Sequence, residues 1–198
     1  MKNNILYSFR RCPFAIRARW ALINTNHVVE LREVDLKNKP IELIRISKKA
    51  TVPVLMTNLN TVIDESLEIM IWSIKNSNMH QLLGVNDNDK SKEIFSLIET
   101  NDKIFKYHLD RFKYASRFNY QDLEAHRNAG MEILLSLNNR LKNYSKEGKQ
   151  LFLLGEKETL ADWAIWPFIR QFRIADITKF DKNEEIKFLK NWLKYFLH

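Results

Sequence analysis

The sequence predicts a small α/β domain followed by an all-helical one. Three observations carry this. Across residues 1–80, short apolar runs of strand length alternate with segments whose apolar residues recur at helical spacing. From residue 91 onward only the helical spacing persists, almost to the end. Glycine and proline, four of each, are too scarce for the tight turns of a sheet-rich fold. The expected partition is 1–80 for the α/β domain, 81–90 for a linker and 91–198 for the helical domain.

The elements follow in order. Ile5-Leu6-Tyr7 is the first strand. Phe14, Ala15, Ala18, Ala21 and Leu22 predict a helix from Pro13 to Ile23. Val28, Val29, Leu31 and Val34 read as a second strand. Pro40 suits the first turn of a helix carrying Leu43, Ile44 and Ile46, because its missing N–H needs no partner there. Val52–Met56 and Thr61–Ile63 form a hairpin around Asn58-Leu59-Asn60. Leu67, Ile69, Met70, Ile71 and Ile74 complete the domain with a helix. The polar segment Val85–Lys92 carries no strong element and reads as linker. Beyond it, Ile94, Leu97, Ile98, Ile104 and Leu109 predict one long helix. Leu123, Met131, Leu134, Leu135 and Leu141 predict a second. Gly148 marks a break. Leu160–Phe172 is unusually apolar and reads as a buried helix. Phe188, Leu189, Trp192 and Phe196 form a terminal amphipathic one. Trp163, Trp166 and Trp192 are expected in the core.

Composition narrows the function classes. Hydrophobic residues make up 45% and charged residues 28%, enough apolar material for a core and too much for a disordered chain. The single cysteine excludes an internal disulfide framework and a multi-cysteine zinc site. His27, His80, His108, His126 and His198 show no metal-ligand spacing, so no metal is expected. No apolar run reaches the ~18 residues of a membrane span. The opening MKNNILYSFRR lacks a signal peptide's long apolar stretch and cleavage site. The expectation is a cytoplasmic protein with no membrane partner. The net charge of +8 permits an anionic partner. The lysines and arginines are interleaved with acids, however, with no basic tract or recognition helix. A solvated basic surface is expected, and direct nucleic-acid binding is not.

The only thiol sits in Arg10-Arg11-Cys12-Pro13-Phe14-Ala15, between the first strand and the first helix. Helix N-terminal N–H groups and the macrodipole stabilise an anion there, and neighbouring arginines add to this. The position therefore favours thiolate. A buried structural cysteine is the alternative. A dithiol oxidoreductase needs Cys-x-x-Cys, whereas here the second position is Ala15. A mixed disulfide on Cys12 must be resolved by an external thiol.

The stretch Cys12-Pro13-Phe14-Ala15-Ile16-Arg17-Ala18-Arg19 resembles the cytosolic glutathione S-transferases, together with Asn38-Lys39-Pro40, Val52-Pro53-Val54-Leu55 and Asp64-Glu65-Ser66. Among these it is most similar to the cysteine-type, omega-like and bacterial members. Thr159-Leu160-Ala161-Asp162 before an apolar helix is similar to the capping box of that family's second domain. The resemblance implies the glutathione transferase fold: a thioredoxin-like domain, then a helical bundle. It implies Cys12 as the catalytic thiol and a cis Val52-Pro53 bond that turns the Val52 backbone toward glutathione. Glu65 would answer the γ-glutamyl ammonium. Ser66, with the following helix N-terminus, would answer its carboxylate. Lys39 would reach the glycyl carboxylate. For Glu65-Ser66 the alternative is plain helix capping, for Pro53 an edge-strand proline, and for Lys39 a solvated lysine. Thr159 and Asp162 are expected to fold the helix rather than to catalyse.

The family's electrophile site faces the first long helix. This implies that Tyr107, Arg111 and Tyr114, with Phe14, line an acceptor pocket; Trp166 and Phe168 are weaker candidates. The implied activity is thiol transfer: deglutathionylation and dehydroascorbate-type reduction through a Cys12–glutathione mixed disulfide. Glutathione is the cosubstrate and a small oxidised or electrophilic molecule the acceptor. Conjugation through a Tyr7 or Ser8 hydroxyl is one alternative. A non-catalytic interaction protein of the stringent-starvation type is another. A homodimer is expected, because family members usually pair and most soluble oligomers are two-fold.

Overall fold

Period-two alternation in the first strand sends its side chains to opposite faces of a sheet, and each face gains its own cluster. The structure, a computed structural model, describes residues 3–118, 122–145 and 149–197. Gly148 and His198 lie outside the described residues. The chain divides into two units, Met1–Leu82 and Leu83–His198.

In the first unit, β1 (Asn4–Ser8), β2 (Val29–Glu33), β3 (Val54–Met56) and β4 (Val62–Ile63) form one sheet in the order β2-β1-β3-β4. β2 runs parallel to β1; β3 and β4 are antiparallel additions. The helices are α1 (Pro13–Asn24), α2 (Ile41–Ile46) and α3 (Ser66–Lys75). Ile5 and Tyr7 pack with Val34, Leu43 and Val54 on the α2 face. Leu6 packs with Ala18, Leu22, Leu55 and Ile69 on the α1–α3 face. β1 is buried on both sides because it is central. Val28, expected within the second strand, is exposed and outside the ladder. Pro40 also sits one place earlier than expected. Its ψ of 141° is extended, so it caps α2 from outside the first turn.

The linker expected at 81–90 is largely structured. A 3-10 turn spans His80–Leu83 and α4 (Asn88–Thr100) begins within the polar segment. Asp87 caps α4, accepting from the N–H groups of Asp89 (3.1 Å) and Lys90 (2.9 Å). Those polar residues are a cap and an exposed first turn, which apolar periodicity does not register. The expected long helix is α4, then a π-helical turn at Asn101–Phe105, then α5 (Lys106–Lys113). Ile104, expected on its inner face, is half-exposed, while Phe105 is buried with Ile94, Ile98, Leu109 and Phe112.

α6 (Leu123–Asn143) and α7 (Leu160–Ala175) are the two longest helices of this unit, and both pack against α5. α9 (Lys187–Leu197) packs against both. A short α8 (Ile177–Lys182), not expected from the apolar pattern, is capped by Asp176, which accepts from Lys179 N–H at 3.0 Å. The capping box at Thr159 and Asp162 is present. Trp163, Trp166, Phe168 and Trp192 are all buried in this unit. Among the described residues, no helix is long and apolar enough to cross a membrane.

Candidate active site

The sharp turn between β1 and α1 places Cys12 at the N-cap of α1, with Pro13 opening the helix. Cys12 is half-buried, and its thiol donates to the Val52 carbonyl at 3.8 Å. The Val52–Pro53 bond is cis. Two segments forty residues apart in sequence thus meet at the thiol. The expectation placed Arg10 and Arg11 beside it. Arg10 is exposed, its N–H donating to Glu33 Oε1 at 2.6 Å, and the Arg11 guanidinium lies over the Phe9 ring at 5.5 Å.

The cation that organises this turn is Arg19, further along α1. It donates to Ser8 Oγ, to the Phe9 carbonyl (3.4 Å) and to the Arg10 carbonyl (3.1 Å). Burial pulls its guanidinium below the ordinary value, while the charges of Glu33 and Cys12 act in the opposite sense. Arg17, fully buried, donates from Nε to Ser66 Oγ at 3.0 Å and lies over the Phe14 ring at 5.0 Å. This bond ties α1 to the first residue of α3. Arg17 was legible in principle: it is a charge on the apolar stripe of a predicted helix, and such a charge needs a partner.

At the start of α3, Glu65 is the N-cap residue, but its side chain makes no capping bond. It is ion-paired with Lys49 instead. The first-turn N–H groups of α3 therefore receive no capping bond from the Glu65 carboxylate. Lys39 is half-buried just ahead of α2. The two hydroxyls considered as alternatives to Cys12 are both engaged. Tyr7 is buried on the α2 face and its oxygen accepts from Arg32 at 3.1 Å; Ser8 is buried and accepts from Arg19.

The chain matches the family models described as glutathione S-transferase, N-terminal domain, over residues 6–77, and glutathione S-transferase, C-terminal domain, over residues 120–194. It belongs to the glutathione S-transferase superfamily. None of the curated proteins matches it in sequence. Solved structures share the fold at low identity. Ure2p in complex with glutathione has a TM-score of 0.83 at 16% identity, covering 100% of this chain and 95% of that one. The Tau class glutathione S-transferase from mango (Mangifera indica) has 0.79 at 22%, covering 98% and 88%. Glutathione transferase Omega 3C from Trametes versicolor has 0.78 at 17%, covering 98% and 86%.

Of the acceptor-pocket candidates, Phe14 belongs to the first unit of this transferase fold and the others to the second. Arg111 stacks over Tyr107 at 3.4 Å from the ring centroid and over Phe118 at 4.8 Å. Tyr114 lies beneath both Lys113 (4.9 Å) and Arg117 (4.6 Å). The end of α5 therefore presents cations already stacked on aromatic faces. Nearby, His108 Nδ1 and His126 Nδ1 are 3.0 Å apart, a pairing across α5 and α6 that sequence spacing did not reveal. Among the described residues, no group of three or more His, Cys, Asp or Glu is placed to hold a metal ion.

Proposed function

We propose that this transferase-fold protein is a glutathione-dependent thiol transferase with Cys12 as its nucleophile. The observation that carries the reading is the placement of Cys12 at the α1 N-cap, 3.8 Å from the Val52 carbonyl. The engagement of both nearby hydroxyls, Tyr7 by Arg32 and Ser8 by Arg19, speaks against a hydroxyl-based conjugating enzyme.

The ligand is glutathione. Its cysteinyl backbone pairs with Val52, beside Pro53, and its γ-glutamyl carboxylate meets Ser66 and the N–H groups that open α3. Glu65 answers the γ-glutamyl ammonium and Lys39 the glycyl carboxylate. The Cys12 thiolate attacks the glutathionyl sulfur of a mixed disulfide. The S–S bond of that acceptor breaks, its own thiol departs as thiolate and takes a proton, and Cys12 carries the glutathionyl group. A second glutathione thiolate attacks the same sulfur, releasing oxidised glutathione and restoring the Cys12 thiolate. Overall, the mixed disulfide and one glutathione thiol give the acceptor's free thiol and oxidised glutathione, and no second protein thiol is used.

The test is intact mass of the reduced protein after exposure to oxidised glutathione. A single glutathionyl adduct is expected, removed by reduced glutathione, absent in Cys12→Ser and formed more slowly in Glu65→Ala. An unmodified Cys12 in a protein that still binds glutathione would move the reading to a non-thiol mechanism. Failure both to react and to bind would favour a non-catalytic interaction protein.

A further inference from the structure

Glu65 enters the proposed reaction as the carboxylate that holds the γ-glutamyl ammonium, and the role inferred here for Lys49 rests on that reading. In the structure this carboxylate already holds an ammonium, that of Lys49. The local backbone puts it there. Lys49 lies in the turn Ser47–Ala50, closed by the Ala50 N–H donating to the Ser47 carbonyl at 3.0 Å. Ala50 adopts a left-handed φ of 45°. The buried Ser47 hydroxyl donates to Asp64 Oδ2 at 3.1 Å, so the turn is pinned to the residue next to Glu65. Lys49 is thereby held within reach of its carboxylate.

We infer that Lys49 is a built-in competitor for the ammonium subsite: it occupies Glu65 in the free protein and must be displaced, or made to share, when a γ-glutamyl ammonium arrives. Both groups are primary ammonium cations, so one carboxylate geometry serves either. The hydrogen bond to Glu65, then the charges of Glu65, Asp64 and Glu68, push the Lys49 ammonium up from its ordinary value, so it stays cationic across the neutral range. The side chains of Lys49 and Glu65 are 56% and 54% exposed, so the pair opens into solvent without disturbing the core. An exposed pair of this kind resists opening only weakly. The competition acts selectively. A ligand without the α-amino group leaves Lys49 in place, whereas a γ-glutamyl ligand has to contend with it.

The sign of the effect separates this inference from general electrostatics. Removing a cation near an anionic ligand such as glutathione ordinarily weakens binding. Here Lys49→Met is expected to tighten reduced glutathione by about two- to fivefold at low salt. The gain should shrink as salt screens the wild-type pair. The experiment is calorimetric titration of wild type, Lys49→Met, Glu65→Gln and the double variant. The ligands are reduced glutathione and its desamino analogue, glutaryl-cysteinyl-glycine. Support requires that Lys49→Met tighten glutathione but not the analogue, and that the gain vanish in the Glu65→Gln background. If Lys49→Met leaves glutathione binding unchanged or weakens it, while Glu65→Gln still costs on the order of tenfold, the competition is overturned and the ammonium subsite stands. If Glu65→Gln itself leaves affinity unchanged, the reading of that subsite falls, and the competition with it.

Discussion

At the β1–α1 junction the thiol is placed by the backbone, and a single arginine, Arg19, bonds the turn that carries it. Cys12 takes its position from Pro13 and the N-cap geometry, while Arg19 spans three consecutive residues of the turn before it. Other single residues bear strain or charge that the fold tolerates. Ala50 sits at φ 45°, where a Cβ is disfavoured and glycine is not. Ala50→Gly is therefore expected to raise stability by about 1 kcal/mol, read as a higher urea midpoint with an unchanged slope. His108 is a second case. Burial first, then the charges of His126 and Arg111, pull its imidazole below the ordinary 6.5, with Glu132 opposing. The unfolded chain then binds the proton more readily than the folded one. The stability contributed by neutral His108 is present above pH 6.5 and is lost as pH falls through the lower folded value. Thermal midpoints should decline from pH 7 to pH 5, and His108→Asn should flatten that decline. An equal slope in the variant would show that the imidazole pair is not its source.

Among the elements, helix starts are where local sequence and distant partners meet. α4 begins with its own cap, Asp87, whereas the N–H groups of Phe188 and Leu189 at the start of α9 donate to Asn138 of α6 at 3.0 and 3.1 Å. The crossing of α6 and α7 depends on Gly130. A Cβ there would lie 2.6 Å from Phe172 Cε2. Phe172 cannot easily yield, because its ring also packs on Phe105 (5.7 Å) and Phe112 (5.0 Å). Gly130→Ala gains about 1 kcal/mol of helix propensity and loses about 1–3 kcal/mol to overpacking. The expected outcome is a lower denaturant midpoint, partly restored by adding Phe172→Leu. A raised midpoint for the single variant would mean that the two helices separate at little cost.

In the second unit as a whole, one carboxylate joins three parts of the chain. Asp162 is fully buried and accepts from Leu153 N–H (2.8 Å), Thr159 N–H (2.9 Å), the Thr159 hydroxyl (2.8 Å) and Trp192 Nε1 (2.9 Å). Burial pushes its carboxyl up, and the four donors pull it back down. Asp162→Ala would leave four buried donors unpaired, with an expected loss of about 3–5 kcal/mol. Tryptophan fluorescence during urea unfolding reads this directly, because Trp192 supplies one of the four donors. A change below about 1 kcal/mol would show that water replaces the carboxylate at these donors.

The Cys12 and Val52-Pro53 segments stood out by their resemblance to a known family, and the order of elements in the first unit was legible in the chain itself. Strand alternation and helical spacing are written along it, and Thr159 caps a helix with a residue three places away. The polar starts of α4 and α8 were not legible, because short capped turns carry no apolar period. Which distant partner Arg17, Lys49 and His108 each find was decided by the folded chain alone. Arg17 reaches Ser66 across 49 residues, Lys49 reaches Glu65 across 16, and His108 meets His126 across 18. Spacing shows which face of its own element a side chain occupies. It does not show what another element brings to that face, because hydrogen bonds and ion pairs act over a few ångströms of space whatever the length of chain between them.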